Sequence, residues 1–326
     1  MTKPAPRLAE IGWEAEAQLL SARCRWLPSA SAVLHSILVA AGQERSGGYL
    51  AVMPILIADS NFLGTPALRK YLSDSRSNRI ALAQEVLVEM HKNEPACTVR
   101  KSLEVARDFP EQIVVLRGVT RIYGMPIHSA ADSRRLIDQR QTTGFAQWYD
   151  DVLQFEHDEV MTGFLAGAQE QAQARVEEIA VTVKHIQPIF RNMKRRFDRE
   201  ELAQIRKHIP YSEGTQRKLL DIMYAMSRVL FRNTNVPESQ HPPLNVHAFR
   251  YFIFRYAMCM TLLYTRWIHH GNLSDDTGKL VNHVMDMHLA ALGTFFGGVL
   301  SNDEMLVDVH REARFLLRMT GKAFLG

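Results

Sequence analysis

The sequence contains few cysteines, and those it has are poorly placed to act together. Cys24, Cys97 and Cys259 are odd in number and lie far apart along the chain. This pattern argues against a disulfide framework and against a Cys-x-x-Cys metal site. A reducing cytoplasm is therefore the simplest compartment for the protein, and we predict a cytoplasmic localisation.

No uninterrupted hydrophobic run is long enough to predict a membrane span. The most hydrophobic long segment, residues 248–268, contains Arg250, Arg255 and Arg266, whereas a spanning helix needs about eighteen or more apolar residues. We predict a buried core helix here and no membrane partner. A helix lying at a membrane surface, with Trp267 at the boundary, is the alternative, although apolar side chains occupy too much of its circumference.

Neither sign of charge is in large excess. The 326 residues include 39 Lys and Arg against 35 Asp and Glu, which gives a formal net charge of +4. Such a charge is compatible with a polyanionic partner but does not require one. With 46% hydrophobic and 23% charged residues, the composition is typical of a globular protein with one large or two smaller domains.

The first part of the chain is separated from the rest by a polar, glycine-containing segment at residues 43–48, and Met53 follows soon after. We therefore expect residues 1–52 to be a dispensable extension or an over-extended gene prediction. Mass spectrometry of the endogenous N-terminus would test this expectation.

Asp59 ends an apolar run that begins at Met53, and Ser60 and Asn61 follow it. The run predicts a buried parallel strand. Its last residue would present a carboxylate at the carboxyl edge of the sheet, where open α/β sheets bind ligands. A cap for the following helix is the alternative role for Asp59.

Further acidic residues lie in two similar contexts. Residues 80–90 predict the end of a strand and the start of a helix that carries Glu89. Residues 286–303 predict a helix that contains Asp286, then a glycine turn, a short strand and Asp303. Two predicted strands thus end near an Asp, each beside hydroxyl or amide side chains.

These motifs resemble those of the PIN-domain nucleases. The four similar places, in chain order, are Asp59-Ser60-Asn61, Val86-Leu-Val-Glu89-Met90, Asp286 before Ala290-Ala291, and Ser301-Asn302-Asp303. They are similar to the family's opening Asp-Thr/Ser-Asn, its second and third acidic positions, and its closing Thr/Ser-x-Asp. The resemblance covers about residues 53–119 and 276–326.

The resemblance implies a PIN-like parallel sheet flanked by helices, and a cluster of catalytic carboxylates. Asp59, Glu89 and Asp286 are then ligands of Mg²⁺ or Mn²⁺, with Asp303 as a fourth or water-mediated ligand. Carboxylates that converge at one edge cannot all stay ionised unless cations neutralise them, and hard divalent ions prefer oxygen ligands.

The function implied is metal-dependent hydrolysis of RNA phosphodiester bonds. Ser60, Asn61 and Ser301 would orient the carboxylates or contact phosphate. RNA is the expected partner, and a protein inhibitor of the antitoxin type and a homo-oligomer stay open. The alternatives are a catalytically silent PIN-like scaffold and, if the motifs are coincidental, a helical protein of the membrane surface.

A large all-helical insertion is predicted to interrupt the α/β fold. We assign residues 53–125 and 275–326 to the two parts of the PIN-like domain, and residues 126–274 to the insertion. Apolar spacing predicts insertion helices at 146–166, 169–197, 215–231 and 248–267, and prolines predict a loop at 233–243.

Local signals in the first part predict shorter elements. Thr65-Pro66 predicts the start of a helix that would bring Arg69 and Lys70 close to the acidic edge. A helix is expected at 98–107 and a β-branched strand at 112–116.

The insertion contains a basic segment with Lys194, Arg195 and Arg196 at its centre. These residues could bind an RNA backbone, which would make binding salt-dependent. They could equally form a solvated helix face, because acidic residues follow closely. Both interpretations stay open.

Histidines near acidic residues are weaker candidates for metal ligands than the four carboxylates. The His157-Asp158 doublet lacks matching partners, and we interpret it as part of an exposed polar face. His283 and His288 flank Asp286, but imidazole fits poorly in an all-oxygen site. Only His288 merits a test as a ligand.

Overall fold

The computed structural model describes residues 55–154, 159–207, 210–232, 248–271 and 276–319, with isolated positions between 234 and 241. The predicted extension at residues 1–52 and the His157-Asp158 doublet lie outside the described residues. Most of the predicted loop at 233–243 lies outside them as well.

A four-stranded parallel sheet forms the α/β part of the molecule. Its strands are β1 Ile55–Ala58, β2 Arg79–Leu82, β3 Ile113–Val115 and β4 Gly298–Leu300, in the order β3-β2-β1-β4. Leu56 of β1 pairs with Ile80 on one side and with Gly298 on the other. The strand order reverses between β1 and β4, which makes their carboxyl ends the topological switch point of the sheet.

Short helices connect the first three strands and flank the sheet. They are α1 Ser60–Leu63, α2 Pro66–Asp74, α3 Gln84–His91, α4 Pro95–Arg107 and, after β3, α5 Val119–Ile122. Thr65 caps α2 by accepting a hydrogen bond from the Leu68 backbone N–H at 3.2 Å, and Pro66 occupies the first turn. The predicted parallel sheet flanked by helices is confirmed.

Helices make up most of the described part of residues 126–274. They are the 3₁₀ helix Ala131–Leu136, α6 Gln139–Leu153, α7 Glu159–Lys194, α8 Arg199–Lys207, α9 Glu213–Arg232, the 3₁₀ turn Ala248–Arg250 and α10 Phe252–His270. The predicted bounds at 146–166 and 169–197 were wrong. Helix α6 begins earlier and ends at Leu153, and α7 begins at Glu159 and ends at Lys194, because apolar spacing alone does not mark where a helix starts or ends.

The last elements return to the sheet. Helix α11, Thr277–Gly293, leads into β4, and α12, Glu304–Met319, follows it. Helix α7 packs against both α3 and α11. One hydrophobic core includes Ile57 of β1 together with Ile179 of α7 and Leu263 of α10. The helical segment therefore packs directly onto the α/β part, and the domain boundaries at 126 and 275 stay predictions.

Helix α10 is buried along nearly its whole length, as expected for a core helix. Its Arg255 is 0% exposed and donates to the carbonyl oxygens of Phe249 at 2.8 Å and Thr294 at 2.6 Å. The guanidinium also lies 3.8 Å from the centre of the Phe295 ring. Among the described residues, no helix combines the length and apolar composition needed to cross a bilayer.

Candidate functional site

Asp59 lies directly after β1, beside the end of β4. Its backbone N–H donates to the carbonyl oxygen of Leu300 at 2.9 Å, which continues the pairing of the two strands. Asp59 is 5% exposed, and its side chain makes no capping hydrogen bond to α1. Asp59 thus occupies the N-cap position of α1 without capping it through its side chain, and its carboxylate binds Ser301 in the loop that follows β4.

Ser301 and Asn61 hold the loops after β4 and β1 together. Ser301 Oγ donates to Asp59 Oδ2 at 2.6 Å. The backbone N–H of Asn302 donates to Asn61 Oδ1 at 3.0 Å, and the Asn302 side-chain amide donates to the Asn61 carbonyl oxygen at 3.0 Å. These bonds fix the orientation of the Asp59 carboxylate.

Glu89 reaches the same place from the second turn of α3, where it is half-buried. Ser60 Oγ donates to Glu89 Oε2 and lies 3.4 Å from Asp59 Oδ1. A hydroxyl has a single proton to donate, so the shorter contact with Glu89 takes it. Ser60 therefore binds Glu89 and lies beside Asp59.

Asp286, half-buried on α11, is electrostatically coupled to the other three acidic residues. Burial is the main cause that raises the pKa of Asp286 to about 8, and the charges of Asp303, Asp59 and Glu89 raise it further. Burial likewise raises the pKa of Asp59, although the hydrogen bond from Ser301 opposes this. Such coupling acts over a longer range than direct contact, and the contacts of Ser60 and Ser301 are what join Glu89 and Asp59 to the loops after β1 and β4.

Asp303 also has a structural role as the residue before α12. Its Oδ1 accepts a hydrogen bond from the Leu306 backbone N–H at 3.0 Å, which caps the helix. Its own backbone N–H donates to Ser301 Oγ at 2.9 Å. Capping engages one carboxylate oxygen of Asp303, as the bonds from Ser301 and Ser60 engage one oxygen each of Asp59 and Glu89.

The chemistry of the four carboxylates fits a hard divalent cation. Oxygen donors are the ligands that Mg²⁺ and Mn²⁺ prefer. In the described part of the chain, no Lys or Arg forms an ion pair with any of the four. A cation would therefore relieve repulsion that the protein's own charges leave in place.

The four carboxylate side chains do not converge on one point. Within the described residues, no three Asp, Glu, His or Cys side chains lie close enough together to hold one ion. Electrostatic coupling acts over longer distances than coordination, so this finding is compatible with the raised pKa of Asp286. The hydrogen bonds from Ser60 and Ser301 hold Glu89 and Asp59 in their present orientations.

The histidines that flank Asp286 are engaged elsewhere. His288 Nδ1 lies 3.0 Å from Glu85 Oε1, and both side chains are buried. His283 packs against Trp267, with the ring centres 5.9 Å apart. Neither contact favours the earlier hypothesis that a histidine binds the metal.

The basic residues of the insertion lie at the end of α7. Lys194 is half-buried, whereas Arg195 and Arg196 are exposed. Burial raises the pKa of Asp221 on α9, and the nearby charge of Arg196 opposes this rise. No described contact joins Lys194, Arg195 or Arg196 to the carboxylates.

Arg69 and Lys70 do not place their charges at the acidic edge, contrary to expectation. Arg69 pairs with Asp108 at 2.6 Å and Lys70 with Asp74 at 2.8 Å. Helix α2 turns Arg69 towards the end of α4, a direction that the cap signal at Thr65 could not indicate.

Sequence reasoning missed Glu85, which forms the buried pair with His288. The available signal was its position one helical turn before Glu89, directly ahead of the apolar residue Val86. Residues four apart share a helix face, so this spacing places Glu85 on the face that carries Glu89, but it gives no sign of His288 as the partner.

Comparisons with protein-family models, curated proteins and solved structures give no match for this chain. The α/β architecture, with a four-stranded parallel sheet flanked by helices, is a property of the structure. The likeness to PIN-domain nucleases is carried by the sequence motifs alone.

Proposed function

We propose that this protein is a divalent-metal-dependent nuclease of PIN-like fold that cleaves RNA phosphodiester bonds. The observation that carries the proposal is Asp286, whose carboxyl group lies within electrostatic range of Asp303, Asp59 and Glu89. Asp59 directly follows β1 and Asp303 comes shortly after β4, at the switch point where open α/β sheets bind ligands. A cation is the natural ligand for a cluster of this charge.

In this proposal Asp59, Glu89 and Asp286 hold Mg²⁺ or Mn²⁺, and Asp303 binds it directly or through water. When bound, such an ion activates water and stabilises charge on a phosphodiester oxygen. Asp286 would have to be ionised to serve as a ligand, so the carboxyl proton that its raised pKa retains would be lost to solvent on binding.

The neighbouring hydroxyl and amide groups orient these ligands. Ser301 donates to Asp59, and Ser60 donates to Glu89. Asn61 keeps the loops after β1 and β4 at a fixed separation through its bonds with Asn302. Groups that hold a metal ligand in this way commonly affect metal affinity.

RNA is the proposed substrate, and the exposed cations at the end of α7 are candidates for contacts with its backbone. Lys194, Arg195 and Arg196 are solvent-accessible to different degrees. Contacts with phosphates would make RNA binding weaker at high salt.

A second candidate function is a catalytically silent PIN-like scaffold that binds another molecule. The specific observation in its favour is that Glu89, Asp59 and Asp303 already use carboxylate oxygens in hydrogen bonds within the protein. A silent site would bind Mn²⁺ weakly and gain little stability from it.

A cleavage assay with Asp59→Asn tests the proposed nuclease. We expect wild-type protein with Mn²⁺ to cleave single-stranded RNA, EDTA to abolish cleavage, and the variant to lose it while staying folded. Asp74→Asn is the matched control, because Asp74 is exposed and pairs with Lys70 on α2. Undiminished cleavage by Asp59→Asn would exclude the assigned site.

A further inference from the structure

Helix α7 carries the exposed large hydrophobic side chains of the described part of the chain. Val160, Phe164 and Val181 are 82%, 52% and 55% exposed, and all three lie on this one helix. Single apolar residues are normal on a protein surface, whereas several on one face are typical of a contact with another molecule.

These three side chains share a face of α7 with two small residues. Val160, Gly167, Ala174 and Val181 follow one another at intervals of seven residues, and Phe164 comes one turn after Val160. Seven residues make nearly two helical turns, so the five positions form one stripe, which we call the outer stripe. Ala174 is exposed, and nothing lies within 4 Å of a Cβ added at Gly167.

The hydrophobic core uses the opposite face of α7. Leu165, Ala172 and Ile179 also recur every seven residues, and all three are buried in the core. Each lies five residues after a position of the outer stripe, and five residues turn a helix through about 140°. The outer stripe therefore faces away from the core of its own chain.

The charges of α7 are divided between its two ends. Residues 159–178 contain four Glu and one Arg, whereas residues 179–194 contain two Lys and one Arg and no acidic residue. Two copies of α7 in antiparallel orientation would place the acidic part of each beside the basic part of the other, and their helix dipoles would also be opposed. Parallel copies would place like charges together.

We propose that the outer stripe of α7 is the interface between two copies of this chain, packed antiparallel about a two-fold axis. The apolar and small side chains form its centre. Glu170 and Glu177 of one copy face the part of α7 that carries Lys184 and Arg191 in the other. From its first to its last residue the stripe is about 32 Å long, which is short for a standard interface, so the dimer has micromolar affinity.

Sedimentation equilibrium of the full chain, from about 1 µM to about 500 µM, tests the proposal across the expected range of affinity. The average mass of wild type should rise from that of one chain towards that of two. In Phe164→Glu with Val181→Glu the dissociation constant should increase by at least about tenfold, because charge replaces the apolar centre. Both side chains are exposed in the single chain, so the monomer should keep its thermal stability.

Ala166→Glu with Gln173→Glu is the matched control. Both positions are exposed on α7, and they lie about a quarter turn from the outer stripe. The control changes the net charge by the same amount as the test variant. Its dissociation constant should equal that of wild type.

A charge exchange tests the antiparallel orientation. Lys184→Glu with Arg191→Glu should weaken the dimer, because acidic residues then occupy both ends of the interface. Adding Glu170→Lys and Glu177→Lys to the same chain should restore it, since opposite charges meet again. Failure of the fourfold variant to regain affinity would contradict the antiparallel arrangement.

A wild type that keeps the mass of one chain at the highest concentration would overturn the proposal, and the outer stripe would then serve a different partner. A dimer that persists unchanged in Phe164→Glu with Val181→Glu would overturn it as well, because another surface would form the interface. Metal binding does not enter either result, so the proposal and the proposed nuclease function can fail independently.

Discussion

Asp286 is a carboxylic acid that keeps its proton to about pH 8, because it is buried near Asp303, Asp59 and Glu89. In the unfolded chain its pKa returns to an ordinary value near 3.8. The folded state therefore binds this proton more tightly than the unfolded state does. Its contribution to stability is complete at acidic pH and is lost as the pH rises towards and through the folded pKa.

Replacing this acid should change how stability depends on pH. Without metal, the free energy of unfolding of Asp286→Asn should fall less steeply than that of wild type as the pH rises from about 4 to about 8. Urea denaturation across this range measures both curves, and their difference isolates Asp286 from other titrating groups. Asp74→Asn should keep the wild-type slope, and an Asp286→Asn curve parallel to wild type would contradict the coupling.

Binding of a divalent cation should oppose the loss of stability that Asp286 causes as the pH rises. Binding requires the ionised form of Asp286, so the affinity for Mn²⁺ should rise with pH until the proton has left. The cation would then restore the stability that metal-free protein loses at alkaline pH. This linkage distinguishes a site at Asp286 from a cation bound elsewhere.

At the scale of elements, the site depends on a close junction between α11, β4 and α12. Gly293 ends α11, and a Cβ added there would lie 2.6 Å from Val299 Cγ1 and 2.9 Å from His310 Cδ2. His310 itself is buried in α12, and burial lowers its pKa to about 4. This junction sets the position of β4, and so of Ser301 after it.

Gly293→Ala should therefore destabilise the protein by about 1–3 kcal/mol through overpacking. Gly163→Ala is the opposite case, because this glycine lies in α7 with nothing within 4 Å of an added Cβ. That change should stabilise by about 0.5–1 kcal/mol through helix propensity. Chemical denaturation measures both, and equal effects at the two glycines would show that the junction is less tightly packed than described.

Elements with a local chemical signal could be predicted from the sequence. The cap at Thr65, the strand before Asp59 and the helix around Asp286 each depend on neighbouring residues, and all are present in the structure. The long-range contacts could not be predicted in this way. Periodicity places Glu85 on the face of Glu89, but only the folded chain brings His288 against it.

Helix ends were similarly hard to predict. Helix α6 begins with a polar turn at Gln139 that carries no apolar signal, so its start was predicted too late. The direction of Arg69 also depends on packing between α2 and α4, which no local pattern specifies.

At the scale of the whole molecule, the helical segment and the sheet share one hydrophobic core. Helix α7 packs against α3 and α11, which carry Glu89 and Asp286, and the basic residues follow at its C-terminal end. If RNA binds along α7, the same helix would support the carboxylate site and contact the substrate. Salt dependence of binding tests this arrangement.

Replacing Lys194, Arg195 and Arg196 by Gln in one triple variant should weaken RNA binding and reduce its salt dependence. For single-stranded RNA, loss of three phosphate contacts should lower the slope of log affinity against log salt by about two. Fluorescence anisotropy with a labelled oligonucleotide over a range of salt concentrations measures it. Arg69→Gln with Lys70→Gln is the control, because these cations already pair with Asp108 and Asp74. An unchanged slope in the triple variant would favour the solvated-face interpretation.

The most direct test of the carboxylate site is Mn²⁺ binding by calorimetry, combined with thermal unfolding, for wild type and Asp59→Asn. We expect wild type to bind the ion and to gain about 2.7 kcal/mol at a free concentration a hundred times Kd. EDTA should reverse this gain, and Asp59→Asn should show neither effect. A wild type that neither binds Mn²⁺ nor gains stability from it would contradict the central claim, as would equal binding by both proteins.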